Sequence, residues 1–346
     1  MRAFSCEVCG QLLFFENSLC LRCGTPQGFS VAGLALEPLG GRPRCSAAEI
    51  AACNWVAEAD GSLCASCRLT RTRPNDADAE GLEEFAAAES AKRRLLFELV
   101  DLGLPIDGDD LRFDLLSSHD APVVTGHSDG LITLDLAESD DARRERRRAQ
   151  LGEAYRTLLG HFRHEIGHYY WPSLVEQRGA EELERCRALF GDERQSYEAA
   201  LERHYAGGPP SDWRERHVSA YATMHPAEDW AETFSHYLHI HDTLQTAAEF
   251  GLVVTGPDLA HGRERSVAAH GALDSAAGID AIIADWLPLT YALNAINRSM
   301  GRDDLYPFTL APAVIEKLAY VRERVQAGVA PQPAAGPVGL GAETVS

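Results

Sequence analysis

Eight of the nine cysteines fall before residue 68, at positions 6, 9, 20, 23, 45, 53, 64 and 67. That crowding limits what the start of the chain can fold into. Residues 1–74 are short and poor in long apolar periodicity, so a folded state there needs metal in place of a core. The opening MRAFSCEVCG lacks the apolar stretch of a secretion signal, and no run of 18 apolar residues occurs in the chain, so the expected setting is the cytoplasm, away from membranes. Thiols there stay reduced, and paired C-x-x-C units hold zinc rather than form disulfides. Cys6, Cys9, Cys20 and Cys23, as C-x2-C-x10-C-x2-C, have the spacing of a structural zinc ribbon whose four thiolates close the ion off from water. Cys45, Cys53, Cys64 and Cys67 offer a second site, although only the last two have knuckle spacing and interleaved pairing between the two sets stays open. Cys186 sits in a helical stretch rich in Arg and Glu and reads as an unpaired thiol.

With 45% apolar residues over 346, the chain as a whole can bury a full-sized core. RTRPNDADAEG, residues 71–81, reads as a linker. Leu82 to Leu102 has helical spacing, ended by Gly103 and Pro105. LRFDLL (111–116), APVVTG (121–126) and GLITLDLAE (130–138) suggest three strands, and the last, apolar on one face, is the candidate for an edge that pairs with extended substrate, or else an interior strand. SDDARRERRRAQ, residues 139–150, begins with helix-capping chemistry and continues as a solvated basic face. From about residue 140 to 325 the pattern is mainly helical, with breaks at 207–212, 253–258, 286–289 and 301–308, and the Pro- and Gly-rich residues 327–346 read as a disordered tail.

GHFRHEIGHYYW, residues 160–171, puts His164 and His168 four apart, on one face of a helix at a separation suited to one zinc ion, with Glu165 beside them. In such an H-E-x-x-H site the glutamate takes a proton from an activated water and passes it to the leaving group. A third ligand has to come from a second helix. YATMHPAEDWAETFSHYL, residues 221–238, supplies Glu228, and Glu232 one turn on could accept from a ligand histidine's other ring nitrogen. His161 is expected to be structural because peptidase zinc keeps an open position. His225 could approach metal or substrate, and His236, His239 and His241 are expected to pack or face solvent.

FRHEIGHYYW, the upstream GHSDGLITLDLAESDD, the downstream HPAEDWAETFSHYLHI and the Cys-rich start together resemble the bacterial zinc-binding metallopeptidases that carry an N-terminal zinc ribbon, over roughly residues 4 to 325. More distantly, the arrangement resembles gluzincin peptidases, including the lethal-factor type, which place a tyrosine seven residues before the zinc-binding glutamate. The resemblance implies an α+β fold: a zinc-ribbon module over 1–74 and a mainly helical, zincin-like metallopeptidase domain with a small sheet over 75–326. It implies one catalytic zinc besides one or two structural ions, with His164, His168 and Glu228 as ligands, Glu165 as general base and Tyr221 as donor to the developing oxyanion. The implied substrate is a peptide or protein; the alternative is a zinc-binding scaffold without activity.

A formal charge of −20 argues against a nucleic-acid partner, which requires concentrated cations. The seven Arg against six Asp and Glu in residues 1–74 leave the ribbon nearly neutral, which favours a protein partner or a structural role over nucleic acid. Lys92 and Lys317 are the only lysines beside 30 arginines, which reads as coding bias.

Overall fold

Four aromatic rings of the Cys-rich segment converge on a fifth from the helix that follows. Phe4, Phe15, Phe29 and Trp55 are buried with Phe97, with centroids 5.0 Å apart for Phe15–Phe29 and 5.2 Å for Phe15–Phe97. Such pairs contribute about 0.5–1.5 kcal/mol each beyond burial. In the computed structural model, which describes residues 2–107, 110–119, 121–140, 143–146, 157–256 and 278–329, the ribbon therefore does have a core. It escapes a periodicity reading because its rings come from irregular positions and the set closes only with Phe97. Two antiparallel hairpins frame it: β1 (Phe4–Ser5) with β2 (Leu12–Leu13), and β3 (Gln27–Ser30) with β4 (Ala35–Pro38).

Residues 70–72 do not link; they form β5 (Thr70–Thr72), an edge of the main sheet. Two β-branched threonines favour a strand there, and Arg71 reaches across to Asp114, with Nε 2.9 Å from Oδ1. α1 (Ala79–Asp101) starts where the Asp78 side chain accepts from Gly81 N and ends before Gly103, whose positive φ lets the chain turn. It presents Phe85, Ala88, Leu95, Leu96 and Leu99 to the core and Arg93 to the ribbon, where the guanidinium donates to the carbonyls of Ala51 and Ala52 at 3.0 Å each.

The sheet runs β5-β6-β8-β7, with β6 (Arg112–Leu116) and β8 (Leu131–Asp135) parallel and β7 (Gly126–Ser128) antiparallel to β8. One strand expectation needs correction: residues 121–125 are not strand, and β7 begins at Gly126. Of the two placements open to it, β8 takes the interior one between β6 and β7, with Ile132 and Leu134 fully buried, and β7 is an edge. Leu136 to Ser139 then tighten into a 3-10 turn capped by Asp135. Of the basic run, residues 143–146 are helical and 141, 142 and 147–150 lie outside the described residues.

Among the described residues six longer helices follow: α2 (Leu158–Leu174), α3 (Ala180–Phe190), α4 (Tyr197–Gly207), α5 (Pro226–Glu249), α6 (Ile279–Ser299) and α7 (Pro312–Val329). The expected break at 286–289 is absent, because α6 runs through Pro288. An interior proline costs a helix about 3 kcal/mol, and burial of Ile282, Ile283, Trp286 and Leu289 on either side of it offsets that. By length and composition α6 could also cross a membrane, although this apolar face is buried within the fold. Residues 327–329, expected as the start of a tail, continue α7 to Val329; residues 330–346 lie outside the described residues. Residues 253–256 are irregular, as are 208–212 and 302–311. The result is an α+β fold with small sheets and an N-terminal Cys-rich zinc-ribbon region.

Candidate zinc centre

α2 buries Leu158, Phe162, Ile166, Tyr170 and Leu174, one residue in every four, and the same period stacks His164 and His168 on a neighbouring face. Thr157 caps it by accepting from Gly160 N at 3.0 Å. α5 starts with His225 as its cap and Pro226 in its first turn, followed by Glu228 and Asp229, carboxylates that suit the positive end of a helix. The two helices pack closely because of Gly167. A Cβ there would lie 3.1 Å from Ala231 Cα and 3.2 Å from Phe234 Cβ, and Trp230 Nε1 donates to the Gly167 carbonyl at 2.9 Å across the seam.

This packing brings three donor atoms into a triangle. His164 Nε2 lies 3.2 Å from His168 Nε2 and 2.9 Å from Glu228 Oε2, which is 3.5 Å from His168 Nε2. A tetrahedral zinc with bonds of about 2.0–2.1 Å holds its donors about 3.3 Å apart, so the triangle fits that ion. Oε2 is buried with no hydrogen-bond partner among the described residues, as an oxygen reserved for a cation would be. On the far side of the ring, His164 Nδ1 donates to Glu232 Oε1 at 2.7 Å, and Ser219 Oγ donates to the other Glu232 oxygen at 2.6 Å. Burial pushes the Glu232 carboxyl up, but the His164 contact outweighs it and holds the group ionised.

Glu165 is buried beside His164 and His168, and desolvation raises its carboxyl above the ordinary range despite the two imidazoles nearby. The Tyr221 ring lies 6.0 Å from His164 between centroids, in a 3-10 turn just before α5. Burial, reinforced by Glu228, raises its hydroxyl so that the proton stays on.

The other histidines have separate employment. His161 faces Glu138 at 3.9 Å, and His236 Nδ1 is 2.8 Å from the Tyr306 hydroxyl. His239 stacks on Tyr306 and His241 is half-buried next to Tyr237. His225 does not approach the triangle as a ligand; its Nδ1 accepts from Ala227 N and its Nε2–H donates to the Gln195 carbonyl, each at 3.1 Å. Two neighbours escape a reading by motif. His127, on β7, stacks on His168 at 6.4 Å with the rings 9° from parallel, and Tyr197, on α4, donates its hydroxyl to Glu228 Oε1 at 3.1 Å. Burial, with His168 beside it, holds His127 down to about 4, and its Nε2 accepts from Gly130 N at 3.2 Å. His127 lies inside the GHSDG stretch; Tyr197 has no spacing relation to any motif.

In the ribbon, Cys6, Cys9, Cys20 and Cys23 form one group and Cys45, Cys53, Cys64 and Cys67 another, without interleaving. Sulfur separations of 3.7 Å for Cys6–Cys23, 3.6 Å for Cys9–Cys20 and 3.6 Å for Cys53–Cys64 fit tetrahedral zinc with Zn–S bonds of about 2.3 Å. Cys186 is a buried free thiol that burial pushes up to about 11.

Three mycobacterial proteins, one of Mycobacterium bovis and two from strains of Mycobacterium tuberculosis, are each 50% identical to the chain over 332 residues, covering 93% of it and 94% of the relative. All three are described as uncharacterized. No solved structure matches the chain. A zinc-ribbon domain family matches residues 3–78, and a second family matches residues 81–324, well over half of the length. By that second match the chain belongs to the family described as "Putative zinc-binding metallo-peptidase", with a zinc ribbon ahead of the family domain.

Proposed function

We propose that the protein is a zinc-dependent peptidase in which His164, His168 and Glu228 hold the ion and Glu165 is the general base. The observation that carries this is the donor triangle of 2.9, 3.2 and 3.5 Å with a buried glutamate beside it. Zinc bound there would supply Lewis-acid polarisation of water and of the scissile carbonyl. The chain's own groups do the rest. Glu165, raised by its burial, takes the proton from the attacking water and returns it to the leaving amine. Glu232 fixes His164 in the tautomer that leaves Nε2 a lone pair to offer. Tyr221, protonated, donates to the oxyanion as it forms. An extended peptide is aligned by main-chain pairing along the outer edge of β7, whose partner β8 lies on its other side. His127, on that strand beside His168, borders the substrate path.

Glu165→Gln separates this function from a zinc-binding scaffold. The variant should keep its zinc yet lose hydrolysis, read as cleaved protein termini in lysate with active protein against lysate with the variant. Glu165-dependent fragments support the peptidase. Equal fragment sets with both proteins would support the scaffold.

A further inference from the structure

Glu228 uses its two oxygens differently. Oε2 faces the two histidines, while Oε1 accepts the Tyr197 hydroxyl at 3.1 Å. Tyr197 opens α4, a helix that buries Ala200 and leaves most of its surface to solvent, with Tyr197 itself 45% exposed. Core packing alone gives this helix little reason to lie over the zinc triangle. What ties it there is polar and aromatic. The Gln195 carbonyl accepts from His225, the Tyr197 ring lies 5.4 Å from the His225 ring, and His204 meets the Tyr221 ring edge-on at 6.1 Å.

We infer that Tyr197 is a positioning residue for the metal centre. By occupying Oε1, it leaves Oε2 alone facing the donor triangle and makes Glu228 a one-oxygen ligand. A carboxylate with both oxygens free can close on a cation from two sides and take up the coordination position that a hydrolytic site keeps open. The same bond explains why α4 lies where it does.

This inference rests on His164, His168 and Glu228 holding zinc, and the experiment tests the two separately. Zinc affinity is measured by chelator competition on the full chain for wild type, Tyr197→Phe, Tyr221→Phe and His164→Ala. Cobalt is then loaded into the histidine–glutamate site with the ribbon zinc in place, and its visible spectrum recorded. Tyr197→Phe should weaken the ion that His164→Ala abolishes by about 10–100-fold and move the cobalt spectrum toward the weaker bands of a higher coordination number. Tyr221→Phe, which leaves the Tyr197–Glu228 bond in place, should change neither. Retention of the ribbon ions and of the far-ultraviolet spectrum confirms that Tyr197→Phe is folded. Wild-type affinity together with an unchanged cobalt spectrum in Tyr197→Phe overturns the inference and leaves the zinc site standing. A wild type with no ion sensitive to His164→Ala would instead overturn the site on which it rests.

Discussion

Tyr221 differs from the ligands in what it can lose. Its hydroxyl is not part of the donor triangle, so Tyr221→Phe should leave zinc content unchanged and lower turnover by about 10²–10³, the usual loss of an oxyanion donor. A Phe variant with full activity would remove Tyr221 from the chemistry. Much of this site was legible residue by residue. His164 and His168 follow from helical period alone, and Glu228 and Glu232 from the need for a carboxylate ligand and a group to hold its neighbour. Tyr197, His127 and Ser219 were not legible, because each comes from an element of its own and no fixed spacing links α4, β7 or the turn before α5 to the H-E-x-x-H helix. His225, for which an approach to metal or substrate stayed open, caps α5 through Nδ1 and donates from Nε2 to the Gln195 carbonyl, so neither ring nitrogen is left for the triangle.

At the level of helices, the distance between α2 and α5 sets the distance between their ligands. Gly167 faces Ala231 Cα, which is backbone and cannot rotate away, so a larger residue has to push α5 and with it Glu228 and Glu232. Gly167→Val should cost about 1–3 kcal/mol of stability as an overpacked core does, measured by denaturant titration, and should weaken zinc binding in parallel. Unchanged stability would mean that the helices are not in tight contact. α5 is braced from its other side too. Lys317 Nζ donates to Asp229 Oδ2, next in the chain to Glu228, at 2.6 Å and to the Arg216 carbonyl at 2.7 Å. Burial pushes Asp229 up to about 7 even so. The chain's other lysine, Lys92, is equally buried and bonds Glu89 at 2.6 Å. Composition suggested coding bias for the rarity of lysine; both that occur are interior ion-pair partners, a placement that no count reveals. The uninterrupted α6 is the converse case, where burial along a whole helix overrules the local signal of one proline.

Across the whole molecule, α1 joins ribbon to peptidase domain through Phe97 and Arg93 on one face and Glu98 on another. Arg163 of α2 donates to Glu98 at 3.0 Å and to Asp242 of α5 at 2.9 Å, clamping three helices behind the zinc centre. Full burial pushes Glu98 up to about 8 against the pull of Arg163. A carboxyl raised in the folded state keeps its proton longer there than in the unfolded chain. Its stabilising contribution is therefore complete below the ordinary carboxylate range and is lost as pH rises toward 8. Thermal midpoints of Glu98→Gln relative to wild type should accordingly shift in favour of Gln between about pH 5 and 8. Parallel curves would contradict the raised value. The ribbon's two cysteine groups were legible from thiol spacing, but its aromatic core was not, since the fifth ring lies beyond the segment's own end.

The account stands on an ion held by α2 and α5, separate from the ribbon ions. Metal content per chain, measured by mass spectrometry on wild type and His164→Ala, tests that directly. About three zinc ions falling to about two is the prediction, with the ribbon ions retained; a count that His164→Ala leaves unchanged would contradict it.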